Sequence, residues 1–159
     1  GDGEVKMAIE AGQLSFTNGP FRVNIKLMEG NFPDYNRAIP SSFPINITLE
    51  GQALAQAVSR VALMADKSAN NRVDMFIKDG KMQITAEGSY GRSQEALEVQ
   101  QEGKESEMAL AYNAKYLSDA LSPVSGNMQL RLSGTTSPSV MSNLADPNYL
   151  AMVVPLRTS

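Results

Sequence analysis

Residues 45–65 read INITLEGQALAQAVSRVALMA. The first six alternate, with Ile45, Ile47 and Leu49 on one face, which is the period of a half-buried strand. After Gly51 the spacing changes, and Leu54, Ala57, Val58, Val61 and Ala65 fall on one stripe of a helix. A strand therefore runs directly into an amphipathic helix. The same switch recurs at residues 108–124, MALAYNAKYLSDALSPV. Met108, Leu110 and Tyr112 alternate, Asn113 stands where an N-cap is needed, and a helical pattern follows. A shift of 63 residues lays Ile45 on Met108, Ile47 on Leu110, Leu49 on Tyr112 and Leu54 on Leu117. It also lays Ala57 on Ala120, Val58 on Leu121, Ser59 on Ser122 and Val61 on Val124. Few residues are identical, but the apolar phase agrees throughout.

Each switch is followed by strand patterns. After the first come RVDMFIKDGKMQITAEG (72–88), a hairpin turning at Asp79-Gly80, and EALEVQQEG (95–103), a further strand. After the second come NMQLRLSG (127–134), SPSVMSN (137–143) and YLAMVVPLR (149–157), three more strands. The chain thus carries an internal duplication of a β-α-β-β-β unit. The expected class is α+β, with two helices packed on curved, mostly antiparallel sheets.

Upstream, residues 5–28 alternate in three segments: Val5, Met7 and Ile9, then Leu14 and Phe16, then Val23, Ile25 and Leu27. Three short antiparallel strands with one apolar face need another layer or more strands to be stable. They read as the end of a domain that is incomplete here. A connector, EGNFPDYNRAIP (29–40), and a punctuated junction, SSFP (41–44), follow. The expected organisation is residues 1–40 as the close of one domain and its connector, and 41–159 as a complete second domain.

Composition removes whole classes of chemistry. The 159 residues contain no cysteine and no histidine. Thiolate chemistry, disulfides and every Ser-His or Cys-His nucleophile pair are excluded. Asp66, Asp74, Asp79, Glu87, Glu95 and Glu98 show no metal-ligand spacing. GTTSPS (134–139) has serines but no base, and EGSYGRS (87–93) lacks the strand-loop-helix setting of a phosphate loop. No catalytic residue, metal or cofactor is expected. No apolar run approaches the roughly 18 residues of a membrane span, so no membrane partner is expected. The formal net charge of −3 speaks against wholesale nucleic-acid coating, although screening leaves room for a local basic face. The nine methionines read as flexible core filler, with Met64 and Met152 the two candidates for a partner-facing role.

The helix faces opposite the apolar stripes offer Gln52, Gln56, Ser59 and Arg60 in the first helix, and Lys115, Ser118, Asp119 and Ser122 in the second. Two readings stand. They are plain solvated faces, or together they form a surface that passes along a phosphate backbone without gripping it, since tight binding needs many more Lys and Arg contacts.

MEGNFPDYNRAIP (28–40), NAKYLSDAL (113–121) and the tail YLAMVVPLRTS (149–159), set around this duplication, resemble the bacterial DNA polymerase III β subunit family, the sliding clamps. The resemblance covers nearly the whole chain but only the C-terminal part of a three-domain family member, the end of its second domain and all of its third. It implies the DNA-clamp fold and a non-catalytic, cytoplasmic processivity factor of DNA replication. In the family, two chains close head to tail into a homodimeric ring around duplex DNA and tether the polymerase. Clamp-loader, replication and repair proteins dock through short linear motifs in a pocket between the second and third domains. The alternative is a stand-alone peptide-binding fragment that does not encircle DNA.

Carried over position by position, the resemblance implies a partner-peptide pocket of Pro33, Arg37 and Ala38 from the connector. It adds Asn113, Tyr116, Thr136 and Pro138 from the second repeat, and Met152, Val153, Val154, Pro155, Leu156 and Arg157 from the tail. The connector would then be specific because it walls a pocket. Gln56, Arg60 and Lys115 would face DNA, and Leu63, Met64 and Glu95 would lie at the ring interface. Blander readings remain beside these: a surface ion pair for Arg37, a helix end tucked into its own core for Met64, and a buried last strand for part of the tail. The loop DKSANNR (66–72) lacks the bulky residue common in the family, and Ala38 is smaller than the branched residue often found there.

Overall fold

The structure, a computed structural model, describes residues 6–10, 13–18, 21–26 and 39–157. Strands β1 (Lys6–Glu10), β2 (Gln13–Asn18) and β3 (Phe21–Lys26) come first. The first repeat is β4 (Ile45–Glu50), α1 (Gly51–Val61), β5 (Arg72–Lys78), β6 (Lys81–Gly88) and β7 (Gly91–Glu98), extended by β8 (Gln100–Gly103). The second is β9 (Glu107–Asn113), α2 (Ala114–Leu121), β10 (Asn127–Leu132), β11 (Ser139–Asn143) and β12 (Tyr149–Val153). The expected α+β class and duplicated unit are both present.

The two repeats exchange their first strands. β5, β6 and β7 form a meander completed by β9, giving a four-stranded sheet ordered β7-β6-β5-β9. β10, β11 and β12 form the other meander, completed by β4. In one case Met75 lies opposite Leu110, and in the other Ile47 lies opposite Leu130. The second sheet continues to eight strands, ordered β1-β2-β3-β12-β11-β10-β4-β8. Among the described residues its one parallel pairing joins β12 to β3, with Leu150 beside Val23 and Met152 beside Ile25. The three N-terminal strands are therefore built into the sheet of the second repeat.

Each helix starts at a matched cap. The Glu50 carboxylate accepts the N–H groups of Gln52 and Ala53 at 3.1 and 2.5 Å. The Asn113 side-chain oxygen accepts that of Lys115 at 2.9 Å. Caps of this kind satisfy donors that a helix start leaves orphaned, and Glu50 and Asn113 are superposed by the shift of 63 residues. The first N–H of each helix crosses to the other repeat: Gly51 donates to Gly126 O and Ala114 to Asn71 O, both at 2.9 Å.

Several boundaries differ from the sequence expectation. The first helix is α-helical only to Val61 and then tightens into a 3-10 turn at Ala62–Met64. The second runs to Leu121; Ser122 keeps helical dihedrals as its C-cap and donates its N–H to Ser118 O at 2.9 Å, and Pro123, with no N–H of its own, cannot extend the ladder. The strand expected at 95–103 is two strands, β7 and β8, in different sheets. At the break Val99 donates its N–H to Gly80 O at 2.9 Å, tying the crossing to the β5–β6 turn. That turn has positive φ at Asp79 and Gly80, 49° and 77°, as an Asp-Gly hairpin requires.

The main core draws on both repeats. Ile45, Ile47, Leu54, Val58, Val61, Ile77, Ile84, Leu117, Leu130 and Leu132 are fully buried within it, each contributing about 1.5–3 kcal/mol of transfer free energy. A second cluster of Leu14, Val140 and Met152 gathers Phe16, Val23, Ile39, Phe43 and Leu150 on the other face of the eight-stranded sheet. β12 serves both: Tyr149, Ala151 and Val153 enter the main core, while Leu150 and Met152 enter the second cluster. The Arg131 guanidinium lies 4.8 Å from the centroid of the Phe43 ring, within cation–π range, and caps that cluster.

Candidate functional site

The tail is the first candidate. Beyond β12 the chain leaves its sheet and reaches the other one, where Leu156 donates its N–H to Ala111 O on β9 at 2.7 Å. Pro155 is buried, Val154 and Leu156 are half-buried and Arg157 is exposed. Next to Ala111, the Tyr112 hydroxyl lies 2.6 Å from Ser139 Oγ, fully buried. Burial pushes the Tyr112 phenol well above its ordinary range, partly offset by the Ser139 bond, so it stays neutral. Ser139 opens β11 opposite Val153 of β12. Just before it, Ser133 donates its hydroxyl to Pro138 O at 3.0 Å and closes the loop that carries Thr136, which is exposed. The Tyr149 hydroxyl donates to Ala120 O at 2.5 Å and ties β12 to α2.

These links gather the end of β9, the start of α2, the approach to β11 and the tail. Of the implied pocket residues, Leu156, Val153 and Pro138 take part in these links, and Asn113, Val154 and Pro155 adjoin linked residues in the chain. Asn113 acts as a helix cap, and Tyr116 is half-buried one turn into α2. Met152 and Val153 are 5% and 3% exposed and divided between the two clusters, so both are mainly packing residues. Pro33, Arg37 and Ala38 lie outside the described residues. The connector's last two residues do fall within them, and Ile39 packs in the cluster that holds Met152.

The helix faces are the second candidate. Gln52, Gln56, Ser59, Arg60, Lys115, Asp119 and Ser122 are exposed. Arg60 is not a free cation, since its Nε and one Nη bond both carboxylate oxygens of Glu95 at 2.5 and 2.8 Å. The guanidinium hydrogen bond holds the Glu95 carboxyl below its ordinary range. A residue expected to face DNA and one expected at the ring edge are thus partners. Nearby, Leu63 is 79% exposed and Tyr90, in the β6–β7 turn, is 93% exposed. Met64 is half-buried.

Other features had no clear sequence signal. Phe76 points out of the four-stranded sheet, 40% exposed, between shallow grooves of about 430 and 390 Å³. One holds the ion pair of Arg72 with Asp74, 2.6 Å apart. Tyr112 reads as a core residue by alternation, and only its hydroxyl hints at a polar partner such as Ser139. Among the described residues no three acidic side chains converge as metal ligands would. No helix among them is long and apolar enough to cross a membrane.

The sequence model of the family described as DNA polymerase III beta subunit, C-terminal domain, matches residues 36–157. The chain is 30% identical over 156 residues to the Beta sliding clamp of Caulobacter vibrioides strain NA1000, covering 96% of this chain and 41% of that protein. It is 26% identical over 159 residues to the Beta sliding clamp of Synechococcus elongatus, covering 98% and 42%. The fold matches a crystal structure of the DNA polymerase sliding clamp from Pseudomonas aeruginosa with a TM-score of 0.73 and 24% identity, covering 99% of this chain and 43% of that one. It matches the DNA polymerase III beta subunit of Thermotoga maritima with the same score and identity, covering 98% and 42%. The chain spans about two fifths of the length of these relatives. Since that family model matches most of the chain and the fold is that of solved sliding clamps, the chain belongs to the DNA polymerase III beta subunit family.

Proposed function

We propose that the chain is the C-terminal part of a ring-forming sliding clamp, a non-catalytic processivity factor that tethers a DNA polymerase to duplex DNA. Residues 1–40 close the middle domain and form the connector, and residues 41–159 are the whole C-terminal domain. The family match over residues 36–157 carries this reading. The exposed faces of α1 and α2 would turn Gln56 and Lys115 toward DNA, with Arg60 held by Glu95. Leu63, Met64 and Glu95 would form part of the ring interface. Loading and repair proteins would dock by short motifs where the tail meets the connector. There Val154, Leu156 and Pro138 offer apolar contact, and Asn113, Arg37 and backbone groups orient the peptide.

Polar, nearly neutral helix faces suit a ring held by topology. This chain alone should therefore bind duplex DNA weakly at physiological salt, because few phosphates are neutralised. Combined with a polypeptide supplying the preceding clamp domains, it should be retained on circular plasmid and lost when the plasmid is linearised. Sub-micromolar, salt-resistant binding by the chain alone would contradict the reading. Peptide binding without any ring in a solution mass measurement would favour the stand-alone module.

A further inference from the structure

We infer that the buried hydroxyl pair Tyr112–Ser139 positions the tail for partner binding, an inference that rests on the tail being part of the docking site. Two neighbouring bonds bridge the sheets at the end of β9: Ala111 O takes the Leu156 N–H at 2.7 Å, and Tyr112 OH meets Ser139 Oγ at 2.6 Å. β9 is an edge strand of its sheet, so the Ala111 carbonyl is available in the sheet plane for the tail N–H, while the Tyr112 side chain is buried in the core. Ser139 lies opposite Val153, the last residue of β12. The pair thus fixes β9 relative to the strand from which the tail departs. Tyr112 and Ser139 are each 0% exposed, so neither can touch a docked peptide, and any effect on docking must be indirect; exchange at Leu156 reads whether it passes through the tail. Nor is the pair needed simply to fill space, since Phe in place of Tyr112 would keep the ring and lose only the oxygen. A buried hydrogen bond with no competing water is directional in a way that apolar packing is not.

The test uses the 159-residue chain, Tyr112→Phe, Tyr112→Phe/Ser139→Ala, and truncation after Pro155. The readouts are amide hydrogen exchange and fluorescence anisotropy of a labelled peptide carrying a Gln-, Leu- and Phe-rich clamp motif. Tyr112→Phe should speed exchange at Leu156 at least several-fold, leave β4 and β6 amides unchanged, and weaken peptide binding several-fold. The double variant removes the orphaned Ser139 hydroxyl, so it should regain stability but not affinity; a purely structural role would restore both. If the intact chain binds peptide and Tyr112→Phe binds it equally, the inference is overturned. The same holds if exchange rises evenly across the fold. If the intact chain and the truncated chain both fail to discriminate the peptide from a scrambled one, the docking site itself is wrong, and the inference falls with it.

Discussion

Arg60 and Glu95 hold each other by two hydrogen bonds, Nε to Oε1 at 2.5 Å and Nη2 to Oε2 at 2.8 Å, from the last turn of α1 to strand β7. The pair joins the helix face proposed to see DNA to the edge proposed to close the ring. Both groups face solvent, so the pair does more to place a charge than to stabilise the fold.

Its signature is a titration. Bonding to Arg60 favours the ionised Glu95 carboxylate. The associated stability is present above the unfolded pKa of about 4.3 and is lost as pH falls through the lower folded value. Following the Glu95 carboxyl carbon by NMR should give a midpoint below the ordinary glutamate range, returning to it in Arg60→Ala. Equal midpoints in the two proteins would mean that the pair does not form in solution.

Gly103 ends β8 with φ +127°, and a Cβ there would collide with the Pro44 carbonyl oxygen. That oxygen also accepts the N–H groups of Lys104 and Glu105, at 2.9 and 3.2 Å. Gly103→Ala should therefore cost about 2 kcal/mol or more, from strain and overpacking together. The urea midpoint should fall with an unchanged m value; an unchanged midpoint would refute the close approach.

Asn113 carries two assignments that substitution can separate. Asn113→Ala removes the cap of α2 and should cost ~1 kcal/mol. Asn113→Asp keeps an acceptor for Lys115 N–H and should restore most of that stability. If Asn113 also orients a docked peptide through its amide N–H, affinity stays reduced in the aspartate variant although the fold recovers. Full recovery of binding would leave Asn113 a cap only.

Truncation must respect the division of labour along the last strand. Removal of Met152–Ser159 would strip Val153 from the main core and Met152 from the second cluster, so lost binding would then report unfolding. Removal of Leu156–Ser159 leaves both clusters and cuts the Leu156–Ala111 bond. That shorter variant, like Arg37→Ala, should weaken a clamp-motif peptide several-fold with little change in thermal midpoint. Unchanged affinity in both would remove the pocket assignment.

Period-2 and helical spacing were enough to read the doubled unit, because each element buries one face and apolar residues record which. Asn113 and the Asp79-Gly80 turn were legible because their chemistry is local. The exchange of β4 and β9 was not, since alternation tells which face is buried but not which strand lies alongside. The break at Val99 escaped for the same reason: the pattern runs on while the chain changes sheets. Ties between distant residues, Arg60 to Glu95 and Tyr112 to Ser139, leave no mark on local spacing. For the candidate site, the resemblance supplied the residues, and folding divides them into packing groups such as Val153 and accessible ones such as Arg157.

Because each repeat lends its opening strand to the other, neither can mature alone. A nascent first repeat would display β5 without its eventual neighbour until β9 had been synthesised. Pairings so far apart in the chain close slowly. A protease nick in the exposed segment Lys104–Ser106 should accordingly leave two pieces that stay clasped under native conditions. Expressed separately, the halves should be insoluble or unstructured, and mixing them should reconstitute the domain.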